Sequence, residues 1–418
     1  MTLRPLIQIR DIVKNALYCT AKLNKSFQNF FIETMQLYLT IQGRVNFTQL
    51  ARFGRSCESR FRQNFRKSID WIAFNKTFVP DDINRLWAIA IDPSYISKSG
   101  KKTPGLSYFW SGCASAVKKG LEILGMALVD GRSDEVVFLN SQQTFQGKRL
   151  GRRPDCIKDM KDPDSLIALY LRALHKKSKE LLELSRIVVA DAYFSKKSFS
   201  DGLKVLGFHL VSRFRDGVRL KYLYKGPKLK KRGAPRKFTG KVNIDNLDMS
   251  VFKKFYLLHG NKASEAYWAD VWSVALEREV RVVIVDCLDD KKKTQNRKVF
   301  FSTDLTLSPQ DIVGIYTSRF QIEFLFRDSK QFTGLTNCQA RNKEALAFSF
   351  NMSLSSINVA RAFARQNGYD ISIGSVKTLL HNAAMVERFI STFGKRPNLN
   401  FNNTDFKDLL FYGVRNAS

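Results

Sequence analysis

Acidic residues are what this sequence has too few of. Its 418 residues carry 38 Asp plus Glu against 69 Lys plus Arg, a formal net charge of +31 at pH 7. A surplus of that size points to a polyanionic partner, with nucleic acid first among them. Histidine is also scarce. The four present, at 175, 209, 259 and 381, are far apart in the chain, which leaves little support for a His-based metal site or a Ser-His-Asp triad. Six cysteines stand singly at 19, 57, 113, 156, 287 and 338, with no CxxC pair. That pattern suits a reducing cytosol and offers no zinc site. No run of about 18 apolar residues exists, so no membrane span is expected. The opening "MTLRPLIQIRDIVKNAL" lacks the apolar core and cleavage site of a secretory signal. Hydrophobic residues are plentiful at 44 %, with 33 Phe. They suffice for real cores, and the length implies two or three domains.

Along the chain the character changes several times. Residues 1–80 read as helical and basic, and "RVNFTQLARFGRSCESRFRQNFRK" (Arg44 to Lys67) has the outline of a helix-turn-helix around Gly54, with a basic second helix. From about 85 strands take over: "LWAIAID", "YFWSGCASAV" and "LEILGMALVDG". A helix over "DPDSLIALYLRALHKKSKELLELS", a strand over "RIVVADAYF", a helix and the strand "FHLVSRFR" follow. Meandering strands followed by strand-helix-strand alternation predict an α/β fold, a mixed sheet with helices on its faces, over residues 81–214. Residues 215–302 form a β-rich insertion. Its Lys-rich stretch "KYLYKGPKLKKRGAPRKFTGK" reads as a solvated loop, and "VWSVALEREVRVVIVDCLDDKKKTQNRKVFFST" reads as a hairpin turning at Asp289, Asp290 and three lysines. Helices return over 303–390, and 391–418 is a short tail.

Acids in apolar surroundings carry the chemistry. Asp92 and Asp191 each close an apolar run, "AIAI" and "IVVA", where an unpaired carboxylate is costly and where functional groups collect. Asp130 and Asp286 also end apolar runs, but turn signals follow them, and they read as strand caps. "YTSRFQIEFLFRDSKQF" reads as one helix, on which Tyr316, Arg319, Glu323, Arg327 and Lys330 fall within an arc of about 80° while Phe, Ile and Leu occupy nearly all other directions. A surface ladder of i,i+4 ion pairs would account for the stripe. So would an acid that holds a divalent cation while neighbouring bases hold phosphate, since such ions take few carboxylates and oxygen ligands from the substrate. Two ions about 4 Å apart clamp the oxygens of a phosphodiester displacement.

The string Tyr316, Arg319, Glu323, Lys330 fits the pattern Y-x2-R-x3-E-x6-K at every spacing. With "DPSYISKSGKKTPGLSYFWSGCA" and "VVADAYFSKKSF", it resembles the DDE transposases of bacterial insertion sequences, specifically the IS4-like group, over residues 85 to 345. The resemblance implies an RNase H-like core, with Asp92 on the first strand, Asp191 on the fourth and Glu323 on a later helix. These three would be the catalytic residues and the ligands of two Mg²⁺ ions, with Mn²⁺ as a substitute. Tyr316, Arg319, Lys330 and Arg327 would bind DNA phosphates, joined by Lys101 and Lys102 in the turn after Asp92. The partners implied are double-stranded DNA, both the terminal inverted repeats and the target, and a second copy assembled on DNA ends. No membrane is involved, and the location implied is the bacterial cytoplasm at the nucleoid. Water would cleave the phosphodiester at the element end, and the freed 3′-hydroxyl would attack target DNA. In relatives an insertion aromatic stacks on a flipped base; here Trp268, Trp272 and Phe300 are candidates, and no motif selects one. Two rival readings keep the same core: a catalytically inactive or co-opted DNA-binding protein, and a structure-specific nuclease or resolvase.

Overall fold

The computed structural model describes residues 3–20, 23–82, 84–146, 153–227, 235–259, 262–289, 294–393 and 403–415. The chain opens with five helices: α1 (Arg4–Tyr18), α2 (Lys25–Thr40), α3 (Phe47–Phe53), α4 (Glu58–Asn64) and α5 (Trp71–Lys76). Four strands follow: β1 (Trp87–Ser97), β2 (Ser107–Ser111), β3 (Ala116–Asp130) and β4 (Val136–Gln143). Next come α6 (Leu166–His175), α7 (Ser178–Leu182), β5 (Ile187–Val189), α8 (Lys197–Val205) and β6 (His209–Arg213). The insertion supplies β7 (Leu220–Leu223), β8 (Phe238–Lys241), β9 (Lys253–His259), β10 (Lys262–Ser273), β11 (Arg278–Asp289) and β12 (Thr294–Ser302). Helices α9 (Pro309–Ser318), α10 (Gln321–Gln331), α11 (Lys343–Gln366), α12 (Ile373–Ile390) and α13 (Thr404–Phe411) close the chain.

The central strands run in the order β4-β3-β1-β5-β6. β1, β3 and β4 pair antiparallel, whereas β1, β5 and β6 pair parallel. This mixed sheet with helices on both faces is an RNase H-like fold. The insertion does not stand apart from it, because β12 pairs antiparallel with β6 and carries β11, β10, β7 and β8 onward in one continuous sheet. Side chains alternate between two cores, as the two-residue period of a strand requires. Ala88 and Ala90 of β1, with Ile123 and Ala127 of β3, pack toward α9–α12 and the N-terminal helices. Ile89, Ile91, Leu124 and Met126 pack toward α6 and α8. Residues 4–76 share the first of these cores with α11 and α12, through Phe31, Phe65, Trp71 and Phe348 among others.

Several elements differ from the sequence reading. β4 is a strand beyond those expected from the sequence, and its free edge is closed by side-chain amides. Asn358 accepts from Phe138 N (3.0 Å) and donates to its carbonyl (2.8 Å), and Asn351 does the same at Ser141 (2.8 and 3.1 Å). Buried amides on a helix are thus replacing a neighbouring strand, which an apolar-periodicity reading does not detect. "YFWSGCASAV" is not one strand: it turns at Gly112–Ser115, where Ser115 is left-handed (φ 44°), so β2 and β3 form a hairpin. The long helix expected after Asp162 breaks at Lys176–Lys177 into α6 and α7. The Lys-rich loop has ordered ends that pair as β7 and β8, while residues 228–234 lie outside the described residues. The expected single hairpin is a meander of β10, β11 and β12, and the turn residues Asp290 and Lys291–Lys293 also lie outside them. α3 and α4 do flank Gly54, with Arg60, Arg66 and Lys67 exposed and Arg62 paired to Glu58.

Candidate active site

Asp92 lies within β1 rather than at its end, since antiparallel pairing with β3 continues through Pro93↔Leu124 to Ser97↔Gly120. The parallel pairing with β5 is shorter. It sets Ile89 beside Val188 and Ala90 beside Val189, and the same offset carried two residues on sets Asp92 beside Asp191. Asp92 therefore sits just past the end of one partner strand. Counted along the chain, Asp191 follows the fifth strand. It follows the fourth of the central five because β2 is an extra hairpin strand. Its carboxylate caps the turn after β5 by accepting from Tyr193 N at 3.0 Å, and Ser212 Oγ holds its carbonyl.

Glu323 comes from the other side. The segment around it is two helices, α9 and α10, meeting at Arg319 and Phe320, with three-residue hydrogen bonds tightening the junction. Tyr316 and Arg319 thus belong to α9 and its cap, while Glu323, Arg327 and Lys330 belong to α10, so the single-helix stripe is corrected. The face is not wholly greasy either, because Phe320 and Phe324 are exposed at 48 % and 40 %. What brings α10 down onto the sheet is Gly125, the residue paired with Asp92 across β1 and β3. A Cβ there would stand 2.5 Å from the ring of Phe326, so only glycine lets this helix approach so closely. The glycine inside the run "LEILGMALVDG" was the available signal for that approach.

At the junction, Arg319 is buried. Its Nη1 lies 2.9 Å from Glu323 Oε1 and 3.9 Å from Asp92 Oδ1. The two carboxylate oxygens are separated by no more than those distances laid end to end, roughly 7 Å. The guanidinium also lies against the rings of Phe320 (4.6 Å) and Tyr316 (5.7 Å), and its buried Nε–H has no hydrogen-bond partner among the described residues. Burial pushes the Asp92 carboxyl up to about 8. Arg319 and Lys330 pull it back down, while Glu323 and Asp191 add repulsion. All three acids therefore share one electrostatic neighbourhood. They are not already folded around a common point: among the described residues, no three His, Cys, Asp or Glu side chains are gathered to hold an ion as they stand. The donor set, three carboxylates of which one is strongly desolvated, does fit a hard divalent cation.

The other expected residues divide. Tyr316 is buried, and its ring packs on Phe300 at 5.0 Å, which takes Phe300 out of contention as an exposed stacking group. Trp268 is held between Lys253 (5.2 Å) and Arg281 (4.7 Å), and Trp272 lies against Phe238. Lys330 acts on Asp92, whereas Arg327 is 64 % exposed and paired with Asp328 at 3.0 Å. Lys101 and Lys102 are exposed in the β1–β2 turn. Asp130 is structural, accepting from Leu86 N and Ser133 Oγ. Asp286 is not a turn cap but pairs across the strands with Arg297 at 2.8 Å. Two further bases cluster here: Lys196, which lies 3.8 Å from the Tyr193 ring and close to Asp191, and Arg215, which is close to Lys196. The "SKK" following the acid was the signal for the first.

Comparison with known families gives two matches. Residues 36–250, just over half the chain, match the DDE superfamily endonuclease model, and residues 169–359 match the Transposase DDE domain. The chain belongs to the DDE superfamily endonucleases. The two matched segments together cover Asp92, Asp191 and Glu323. A comparison with curated proteins finds no match. For this DDE endonuclease the family makes DNA the substrate and a nuclease-type reaction the activity, and such families generally use divalent metals. Among the described residues no helix is long and apolar enough to cross a membrane.

Proposed function

We propose that the protein is a transposase of the IS4-like group, which cleaves phosphodiester bonds at the ends of an insertion sequence and joins the freed 3′-hydroxyl to target DNA. One observation carries the reading. A single guanidinium nitrogen of Arg319 reaches both Asp92 and Glu323, and Asp191 is near enough to Asp92 to repel its charge. Asp92, Asp191 and Glu323 would hold the divalent cations. When bound, these supply Lewis-acid activation of the attacking oxygen and neutralise charge on the leaving one. Arg319, freed from its carboxylates, offers a desolvated fork to a phosphate, and its Nε–H, unpartnered among the described residues, supports that role. Lys330 and the Tyr316 hydroxyl position the same strand, with Lys101 and Lys102 further along it. Residues 1–80 serve DNA binding, 81–214 and 303–390 form the catalytic core, 215–302 form the insertion, and two copies act on paired ends.

A second reading, a relative that holds DNA without cutting it, draws on the Arg319–Glu323 pair, which leaves Glu323 already neutralised. Plasmid DNA carrying the element ends, incubated with Mg²⁺, decides between them. On the transposase reading the wild type nicks the ends, and Glu323→Gln abolishes nicking while retaining binding. Equal loss of cleavage and binding would contradict a ligand role, and a wild type that binds without nicking would favour the second reading.

A further inference from the structure

The hairpin of β2 and the first residues of β3 presents an aromatic face that no part of the cleavage chemistry uses. Tyr108 and Trp110 are 65 % and 62 % exposed, and Val117 is 60 % exposed. Two large exposed aromatics side by side on an edge strand make a surface suited to a partner. Register puts them together: Tyr108 pairs with Lys119, and Trp110 pairs with Val117, so all four side chains share one face. That face is the one that carries Asp92. Asp92 pairs with Gly125, Ser94 with Ile123 and Ile96 with Leu121, and alternation carries the same side on to Lys119 and Val117.

The ribbon is held firmly. Tyr95 Oη donates to the Lys119 carbonyl at 2.8 Å, and the Tyr95 ring lies so close over Gly120 that a Cβ there would be 2.4 Å from it. The segment carries charge of one sign: from Ser94 to Gly120 there are five lysines and no Asp or Glu. Of these, Lys98 is turned onto the Thr336 carbonyl, Lys118 lies on the opposite face, and Lys101, Lys102 and Lys119 are exposed. Interfaces between proteins are depleted in lysine at their centres, whereas aromatics interleaved with lysines suit single-stranded nucleic acid, which stacks its bases and lays its phosphates on the charge.

We propose that this ribbon is a stacking surface for unpaired DNA bases, with Tyr108 and Trp110 as the stacking groups and Lys119 holding the backbone between them. Six residues of β3 separate Lys119 from the partner of Asp92, a span of about 20 Å. The inference rests on DNA being the substrate and is independent of which acids hold metal.

The test is fluorescence anisotropy in EDTA with two labelled probes, oligothymidine and a fully paired duplex of equal length. Trp110→Ala should raise Kd for oligothymidine about tenfold, equivalent to ~1.4 kcal/mol. It should change the duplex Kd less than about twofold, and Trp110→Phe should keep most of the affinity because it keeps a ring to stack. Equal weakening of both probes, or no effect on oligothymidine, overturns the proposal. So does a fall in sedimentation mass for Trp110→Ala, because the face would then be covered by a second copy. Should Trp110→Ala fail to fold by circular dichroism, Tyr108→Ala is read by the same criteria. Because EDTA stops cleavage in every sample, failure here leaves the cleavage reading standing, and failure of Glu323→Gln to separate cleavage from binding leaves the ribbon standing.

Discussion

Replacing Asp92 by asparagine should stabilise the metal-free protein, and increasingly so as pH rises. The carboxyl is ordinarily half-protonated at 3.8 and is pushed up to about 8 in the fold, first by burial and then by repulsion from Glu323 and Asp191. Between these values the folded state keeps a proton that the unfolded state has released. Stability therefore falls with rising pH across that window and levels off above it. Each pH step of displacement corresponds to ~1.4 kcal/mol, so the ceiling is about 6 kcal/mol. The Asp92 side chain keeps 20 % of its exposure and has Arg319 at 3.9 Å. A local dielectric nearer 20 than 4 brings the expected effect down to ~2 kcal/mol. Asparagine carries no charge and has no such slope. Urea titrations of both proteins in EDTA, from pH 4 to pH 8, should show little difference at the acid end and an advantage of ~2 kcal/mol for Asp92→Asn at pH 8. A difference that stays constant with pH, or an asparagine variant that is less stable at pH 8, would refute the reasoning that Asp92 is a strained, desolvated acid.

Two further predictions concern the scaffold. Gly125→Ala should force Phe326 and α10 outward, costing ~1–3 kcal/mol of stability and more than about tenfold in cleavage, with Phe326→Leu in the same chain restoring both. A melt and a nicking assay on the single and double variants check this. Asn358→Leu should cost ~2–4 kcal/mol, because it leaves the buried N–H and carbonyl of Phe138 unpaired on the edge of β4; thermal denaturation of an otherwise unchanged protein measures it.

Much of the candidate site is legible in the sequence because its acids violate local chemistry. A carboxylate after "AIAI" or "IVVA" is conspicuous in a strand buried on both faces, and both runs do alternate between two cores. The spacing of Tyr316, Arg319, Glu323 and Lys330 was also legible, but the break between α9 and α10 was not. Arg319 and Phe320 keep helical dihedrals, and only a few hydrogen bonds shorten to three-residue spans, so no proline or glycine marks the junction. The contact of Arg327 with its neighbour Asp328 is likewise outside the reach of a helical-wheel argument, which does not register i,i+1 pairs. β4 was missed because amides from α11, more than 200 residues away in sequence, satisfy its edge. The insertion's union with the core sheet depends on the pairing of β12 with β6, which no local pattern encodes.

The central claim, that Asp92, Asp191 and Glu323 act as one cation-binding set, is tested most directly by anomalous scattering from crystals soaked in Mn²⁺. The account predicts a peak within about 2.5 Å of oxygens from Asp92 and at least one of the other two acids, with the Arg319–Glu323 contact opened. Peaks confined to other surfaces, with Arg319 still seated between Asp92 and Glu323 at saturating Mn²⁺, would contradict it.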